Sequence, residues 1–236
     1  LHTAADLGRD SSYSKDIVKT GPLITQELVT LAKEFNAAIV FTSTEAVYGG
    51  KEDGQYSEED PYNPRSPYGE SKVKSELAIR ESGLPFLIIR AHRFVGVSKN
   101  FSRPKQFPDA LKALMAGDEL VLDSVKLFTP SLINHICKVI EHYIAKSSNS
   151  QVILNVATDK SVTFYDFITD LARQLERTTK GFPKPGGNEA GWPSNSTLSV
   201  DKLERLGYPT APYETALKNI CEELSSFEAF LPRNGA

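Results

Sequence analysis

Residues Phe41 to Lys72 read FTSTEAVYGGKEDGQYSEEDPYNPRSPYGESK and hold a Thr hydroxyl, a Tyr phenol and a Lys ammonium that one site could use together. Tyr68 and Lys72 are four residues apart at the start of a helical pattern continuing through Val73, Leu77 and Ala78, so both side chains leave one helix face. An ammonium held beside a phenol favours the phenolate, which predicts a Tyr68 pKa lowered toward neutrality and an acid/base couple. The stretch is entered through Ala38-Ile-Val-Phe41, an apolar run rich in β-formers that ends in Thr42-Ser43-Thr44. Those hydroxyls fall at the carboxyl end of a predicted parallel strand, the edge at which open α/β sheets bind ligands. Thr44 is placed there to hydrogen-bond a substrate oxygen while Tyr68 gives or takes its proton.

A YxxxK pattern by itself is weak. Here it comes with STEAVYGG after the strand, with YNPRSPYGESK around the Tyr, and with Tyr68 following Thr44 at a spacing of 24. In that combination the chain resembles the extended short-chain dehydrogenase/reductase family, and the likeness runs over nearly all 236 residues. The resemblance implies a Rossmann-type, doubly wound parallel sheet with a small C-terminal substrate-binding α/β region. It also implies a nicotinamide cofactor, NAD or NADP, and a nucleotide-sugar substrate. Thr44, Tyr68 and Lys72 take the catalytic positions. Ala4, Ala5, Thr42, Ser43, Arg90 and Phe94, with Tyr68 and Lys72, take positions beside the cofactor, and Thr44, Glu45, Asn100 and Arg103 take positions beside the substrate.

Some positions depart from the family pattern. The opening Leu1-His-Thr-Ala-Ala5 resembles the end of the fourth Rossmann strand, and none of the fifteen glycines opens a helix after a strand as a pyrophosphate-holding turn does. The sequence therefore reads as the last three-quarters of a larger protein, or as a remnant without its dinucleotide cradle. Val18 stands where relatives usually carry an Asn that organises the catalytic groups. Glu45-Ala46 replaces the Asp-Glu pair with which dehydratases of the family expel water, so dehydration is disfavoured, and 4-keto-sugar reduction and 4-epimerisation remain. The C-terminal stretch Asn195-Ser-Thr-Leu-Ser199 with Asp201-Lys-Leu-Glu-Arg-Leu-Gly207 resembles dTDP-4-dehydrorhamnose reductase-like members and tilts the choice toward reduction. A different class also stays open: a non-catalytic regulatory subunit, or a cofactor-binding-deficient fragment, that keeps the fold.

Composition sets the outer bounds. With 40% hydrophobic and 24% charged residues the chain is an ordinary globular protein, and a net charge of −3 with pI near 5.9 offers no basic face for nucleic acid. No apolar run is long enough to span a membrane. Cys137 and Cys221 make no disulfide framework, and His2, His92, His135 and His142 show no metal-ligand spacing, which predicts a cytoplasmic protein without a metal.

Two domains are predicted: residues 1–97 as the remainder of the cofactor-binding domain, and 98–236 as mostly substrate-binding, with a strand and a helix returning to the main sheet. Gly8 to Lys19 reads as a mobile polar loop, and from Gly21-Pro22 onward Leu23, Ile24, Glu27, Leu28, Leu31 and Ala32 follow the spacing of a helix that covers the sheet, with Pro22 near its first turn. Phe86-Leu-Ile-Ile89 reads as a buried strand, after which His92 and Arg93 serve either the nicotinamide side of the site or local packing. Arg103 or Lys105 either grips a diphosphate or decorates a surface loop. Residues 178–197 read as a loop in which Trp192 is a lid or an anchor. By analogy with the family, the chain forms a homodimer through the YxxxK helix and its neighbour.

Overall fold

The computed structural model describes residues 14–51, 54–97, 106–118, 120–146, 149–176, 182–184 and 195–225. Helix α1 runs Ser14–Glu34 and strand β1 Ile39–Thr44. The expected loop through Lys19 thus gives way to helix from Ser14 onward, and Pro22 lies inside α1 rather than in its first turn. Tertiary contact overrides the local proline signal. Gly21 lets α1 approach Ser71 more closely than any side chain would allow, and the Thr25 hydroxyl bonds both the Gly21 carbonyl and Ser75 Oγ at 2.9 Å.

Helix α2 runs Pro67–Arg80. Its start is explicit in sequence: Ser66 caps it by accepting from Gly69 N, and Pro67 supplies the preset first turn. Strand β2, Phe86–Ala91, is buried along its whole length because it is the middle strand of the sheet. Then come β3 (Phe94–Val95), α3 (Gln106–Ala116), β4 (Val121–Asp123), β5 (Leu127–Phe128), β6 (Ser131–Leu132), α4 (Ile133–Ala145) and β7 (Gln151–Asn155). The chain continues through β8 (Val162–Thr163), α5 (Phe164–Gln174), β9 (Phe182–Lys184), α6 (Asp201–Arg205) and α7 (Tyr213–Ser225). Strand β9 falls inside the stretch expected to be loop throughout.

The main sheet is parallel, in the order β1-β2-β7, with Thr44 level with Ala91 and Ser43 level with Arg90. Alternation along the strands sends Ile39, Phe41, Phe86 and Ile88 to α1 and α2, and Val40, Leu87, Ile89 and Leu154 to α4. Both faces are therefore covered, and α4 and β7 return to this sheet from the C-terminal half. A second core of Phe107, Leu111, Phe128, Phe164, Phe167 and Leu217 holds that half together. Each of these buried side chains is worth about 1.5–3 kcal/mol. The pairs β3-β6, β4-β9 and β5-β8 link its pieces.

Most of the apolar stripe of α1 faces away from the sheet that the helix covers. Pro22, Thr25 and Val29 are buried and Ala32 packs on the same core, whereas Leu23, Ile24, Leu28 and Leu31 are exposed. Periodicity located a helix with an apolar face, but α2 takes a different face of it.

Candidate active site

Thr44 ends β1 and caps the short 3-10 turn Glu45–Val47, its hydroxyl accepting from Ala46 N at 3.2 Å and donating to Glu45 Oε2 at 2.6 Å. Helix α2 begins against this turn. A side chain at Gly69 would collide with the Ala46 carbonyl, so glycine is what allows the first turn of α2 to sit there. That contact brings the Tyr68 phenol close enough to the Thr44 hydroxyl for the hydroxyl to favour the phenolate. One turn later Lys72 reaches back to the strand, donating from Nζ to the Thr42 carbonyl at 2.8 Å, with Nζ 4.6 Å from the Phe41 ring centre and 5.8 Å from that of Tyr68. Thr44, Tyr68 and Lys72 are thus gathered at the carboxyl edge of the sheet.

Their electrostatics differ from the expectation. Burial, reinforced by the Glu45 carboxylate, pushes the Tyr68 phenol up to about 12, with the Thr44 hydroxyl pulling the other way. Lys72 is brought down to about 8 by burial, against the pull of Glu76. The lowered Tyr68 pKa predicted from the Lys four residues on is therefore not found: the ammonium is turned to a carbonyl, and desolvation outweighs it.

Two residues predicted beside the cofactor serve the scaffold. Arg90 is 1% exposed, and all three of its guanidinium nitrogens are engaged: Nε and Nη2 with Glu76, and Nη1 with Tyr48 Oη at 2.6 Å and the Glu58 carbonyl. Ser43 donates to the same Glu76, which is fully buried, and Tyr62 Oη does so at 2.7 Å. Tyr48 Oη in turn donates to the Ser57 carbonyl at 2.8 Å, and Asn155 bonds Glu58, Tyr56 and Ser199. This network ties α2, the loop after β1, and β7 beneath the site. Its key partner, Glu76, is one turn beyond Lys72, on a helix face toward a strand that ends in Arg, which is the signal that could have paired the two. Of the remaining cofactor positions, the Thr42 carbonyl faces Lys72, and Phe94 is exposed to 51%. Ala4, Ala5, Asn100, Arg103, Lys105 and Trp192 lie outside the described residues.

Beyond the strand edge, His92 and Arg93 stand close to Glu45. His92 is 7% exposed, with Nε2 3.7 Å from Glu45 Oε1 and 3.4 Å from Ser196 Oγ, and burial lowers its pKa. Arg93 adopts φ 50°, the left-handed region that favours glycine, and its guanidinium carbon lies 4.8 Å from the Phe128 ring centre and 5.2 Å from that of Phe164. His135 and His142 sit on α4, one bonded to the Pro209 carbonyl and the other packed on Tyr208. Among the described residues no group of three His, Cys, Asp or Glu could hold a metal ion, and no helix is long and apolar enough to cross a membrane.

A parallel sheet covered on both faces, with Thr, Tyr and Lys at its carboxyl edge, is the architecture of the extended short-chain dehydrogenases/reductases. Within that class the chain belongs to the RmlD substrate binding domain family, whose model matches residues 10–226. It is 27% identical over 198 residues to the spore coat polysaccharide biosynthesis protein SpsK of Bacillus subtilis, which covers 80% of this chain and 66% of that protein. It is 26% identical over 235 residues to the dTDP-4-dehydrorhamnose reductase of Aggregatibacter actinomycetemcomitans, covering 92% of this chain and 75% of that protein. The fold superposes on a Bacillus anthracis dTDP-4-dehydrorhamnose reductase solved in complex with NADP, with TM-score 0.81 at 17% identity, over 94% of this chain and 79% of that one.

Proposed function

We propose that the chain is the catalytic and substrate-binding part of an NAD(P)-dependent oxidoreductase acting on a nucleotide sugar, by 4-keto reduction or 4-epimerisation. The observation that carries this is the meeting of the Thr44 and Tyr68 hydroxyls beside a buried Lys72 that forms no ion pair among the described residues. The ammonium keeps donors beyond the one given to Thr42, and a hydroxyl-rich ligand such as a cofactor ribose suits them. A bound nicotinamide supplies or accepts the hydride.

The chain's own residues do the rest. Thr44 and Tyr68 share the oxygen of the reacting carbon, Thr44 orienting it and Tyr68 transferring its proton, while Lys72 steadies the charge on that oxygen and on the phenol. A phenol held near 12 is protonated at physiological pH, the form that a proton donor in keto reduction requires. Together with Ala46 in place of a second acid, this favours reduction over dehydration. Glu45, bonded to Thr44, is the substrate-side carboxylate nearest the reaction.

A homodimer is supported by the exposed apolar stripe of α1, flanked by exposed Leu77 on α2. A cytoplasmic setting accords with the free thiols of Cys137 and Cys221. The test is Tyr68→Phe in the complete protein, assayed for reduction of a 4-keto nucleotide sugar. Loss of most turnover is expected, and turnover at the wild-type level would overturn the mechanism.

A further inference from the structure

Two buried side-chain nitrogens at the strand edge have no hydrogen-bond partner among the described residues, His92 Nδ1 and Arg93 Nη1. Native interiors rarely leave such groups unpaired, because each forfeits its bond to water without replacement. Both belong to one corner. The two side chains border the same Phe128 ring, His92 edge-on at 5.8 Å and Arg93 over it at 4.8 Å. Two similar orphans, His135 Nδ1 and His142 Nε2, lie on α4 away from this edge.

The corner holds the Arg93 cation beside Glu45 and is under-bonded among the described residues. Burial lowers the Arg93 pKa, and Glu45 and Asp123 act on the guanidinium only through space, neither forming an ion pair with it among the described residues. The backbone of Arg93 is also held in a left-handed conformation, at φ 50°. Strain and an unfilled donor at one residue beside a catalytic edge are what a ligand contact looks like in its absence.

We propose that His92 and Arg93 form an acid-recognising corner of the substrate site, and that the sugar carried by the nucleotide bears a carboxylate. This rests on the nucleotide-sugar reading of the site. The corner joins Thr44 through a single side chain, since Glu45 touches the Thr44 hydroxyl with one oxygen and faces His92 with the other. Thr44 orients the reacting oxygen of the ring, so a group reached through Glu45 and His92 belongs to the ring itself, not to the diphosphate beyond the glycosidic bond. Repulsion from Glu45 is avoided by the imidazole, whose Nε2 faces Glu45 while the unpartnered Nδ1 is the ring's other nitrogen. Burial lowers the His92 pKa, and Glu45 on one side with a ligand acid on the other would act against it, toward an imidazolium that donates at both nitrogens. Arg93 Nη1 supplies the second donor, and the Phe128 and Phe164 rings keep water from competing.

Calorimetric titration of this 236-residue chain with UDP-glucuronate, UDP-glucose, UDP and dTDP tests the assignment. UDP-glucuronate should bind at least about 10-fold more tightly than UDP-glucose, and Arg93→Gln should erase that difference, with His92→Asn reducing it. Equal affinity for the two sugars overturns the carboxylate proposal and leaves the nucleotide-sugar reading standing. UDP binding as tightly as UDP-glucuronate, and weakened equally by Arg93→Gln, also overturns it by placing the diphosphate on Arg93. No binding of any of the four overturns both readings.

Discussion

Arg90 and Arg93 stand three residues apart at the end of one strand, and their surroundings are opposite. Arg90 points beneath the sheet edge into a complete set of acceptors and is paired with a fully buried carboxylate at 2.7 Å. Arg93 lies past the edge, stacked on aromatic rings, strained in its backbone and, among the described residues, short of a hydrogen bond at Nη1. Burial by itself therefore does not separate scaffold from site. Hydrogen-bond accounting separates the two: a satisfied buried charge holds elements together, and an under-bonded one is what the proposed site draws on. Lys72 belongs with the second kind, since it is buried among apolar rings with one carbonyl for company.

The contrast can be broken by mutation. Tyr68→Phe, on the site side, should lower carbonyl reduction by the complete protein by about 10²–10⁴-fold with the urea midpoint nearly unchanged. On the scaffold side, Arg90→Met leaves Glu76 a buried, unpaired charge and should cost about 3–5 kcal/mol in urea unfolding. Arg93→Gln, removing a cation with no bond to lose at Nη1, should cost less than about 1 kcal/mol. Equal losses for the two arginines would remove the distinction between them.

Stability against pH sharpens the placement of Lys72. Its folded pKa, about 8, lies below the ordinary 10.5, so the unfolded chain binds the extra proton in between and stability rises with pH from about 8 to 10.5. Tyr68, raised to about 12 from 10.0, has the opposite sign: the folded chain holds its proton longer, and stability falls as pH climbs from 10 to 12. Urea unfolding at pH 7.5, 9 and 10 should show the rise in the wild type and lose it in Lys72→Met. The smallest effect on folding is expected at α1, where Leu28→Glu with Leu31→Glu should leave unfolding within about 0.5 kcal/mol and abolish self-association in sedimentation.

Much of the site could be read from sequence because its spacing is local. Tyr68 and Lys72 share a helix whose cap and first proline are adjacent in the chain, and Thr44 ends a strand announced by its own apolar run. The partners of Arg90 were not legible, since Glu76, Tyr48, Glu58 and Asn155 come from four separate segments that only the fold brings within bonding distance. Ser43 and Arg90 were placed beside the cofactor by resemblance, and the side-chain alternation of β1 and β2 turns both toward Glu76 instead.

What the sequence determined by itself was the class of fold, the helix and strand positions around the proposed site, and the spacing by which Thr44, Tyr68 and Lys72 come together. These follow from periodicity, capping and motif spacing, all properties of neighbouring residues. Only the tertiary structure decided which face of α1 is buried, which arginine is spent on the scaffold, and that Tyr68 is driven up rather than down. Each of those depends on desolvation and on partners distant in the chain, and neither quantity exists until the elements pack.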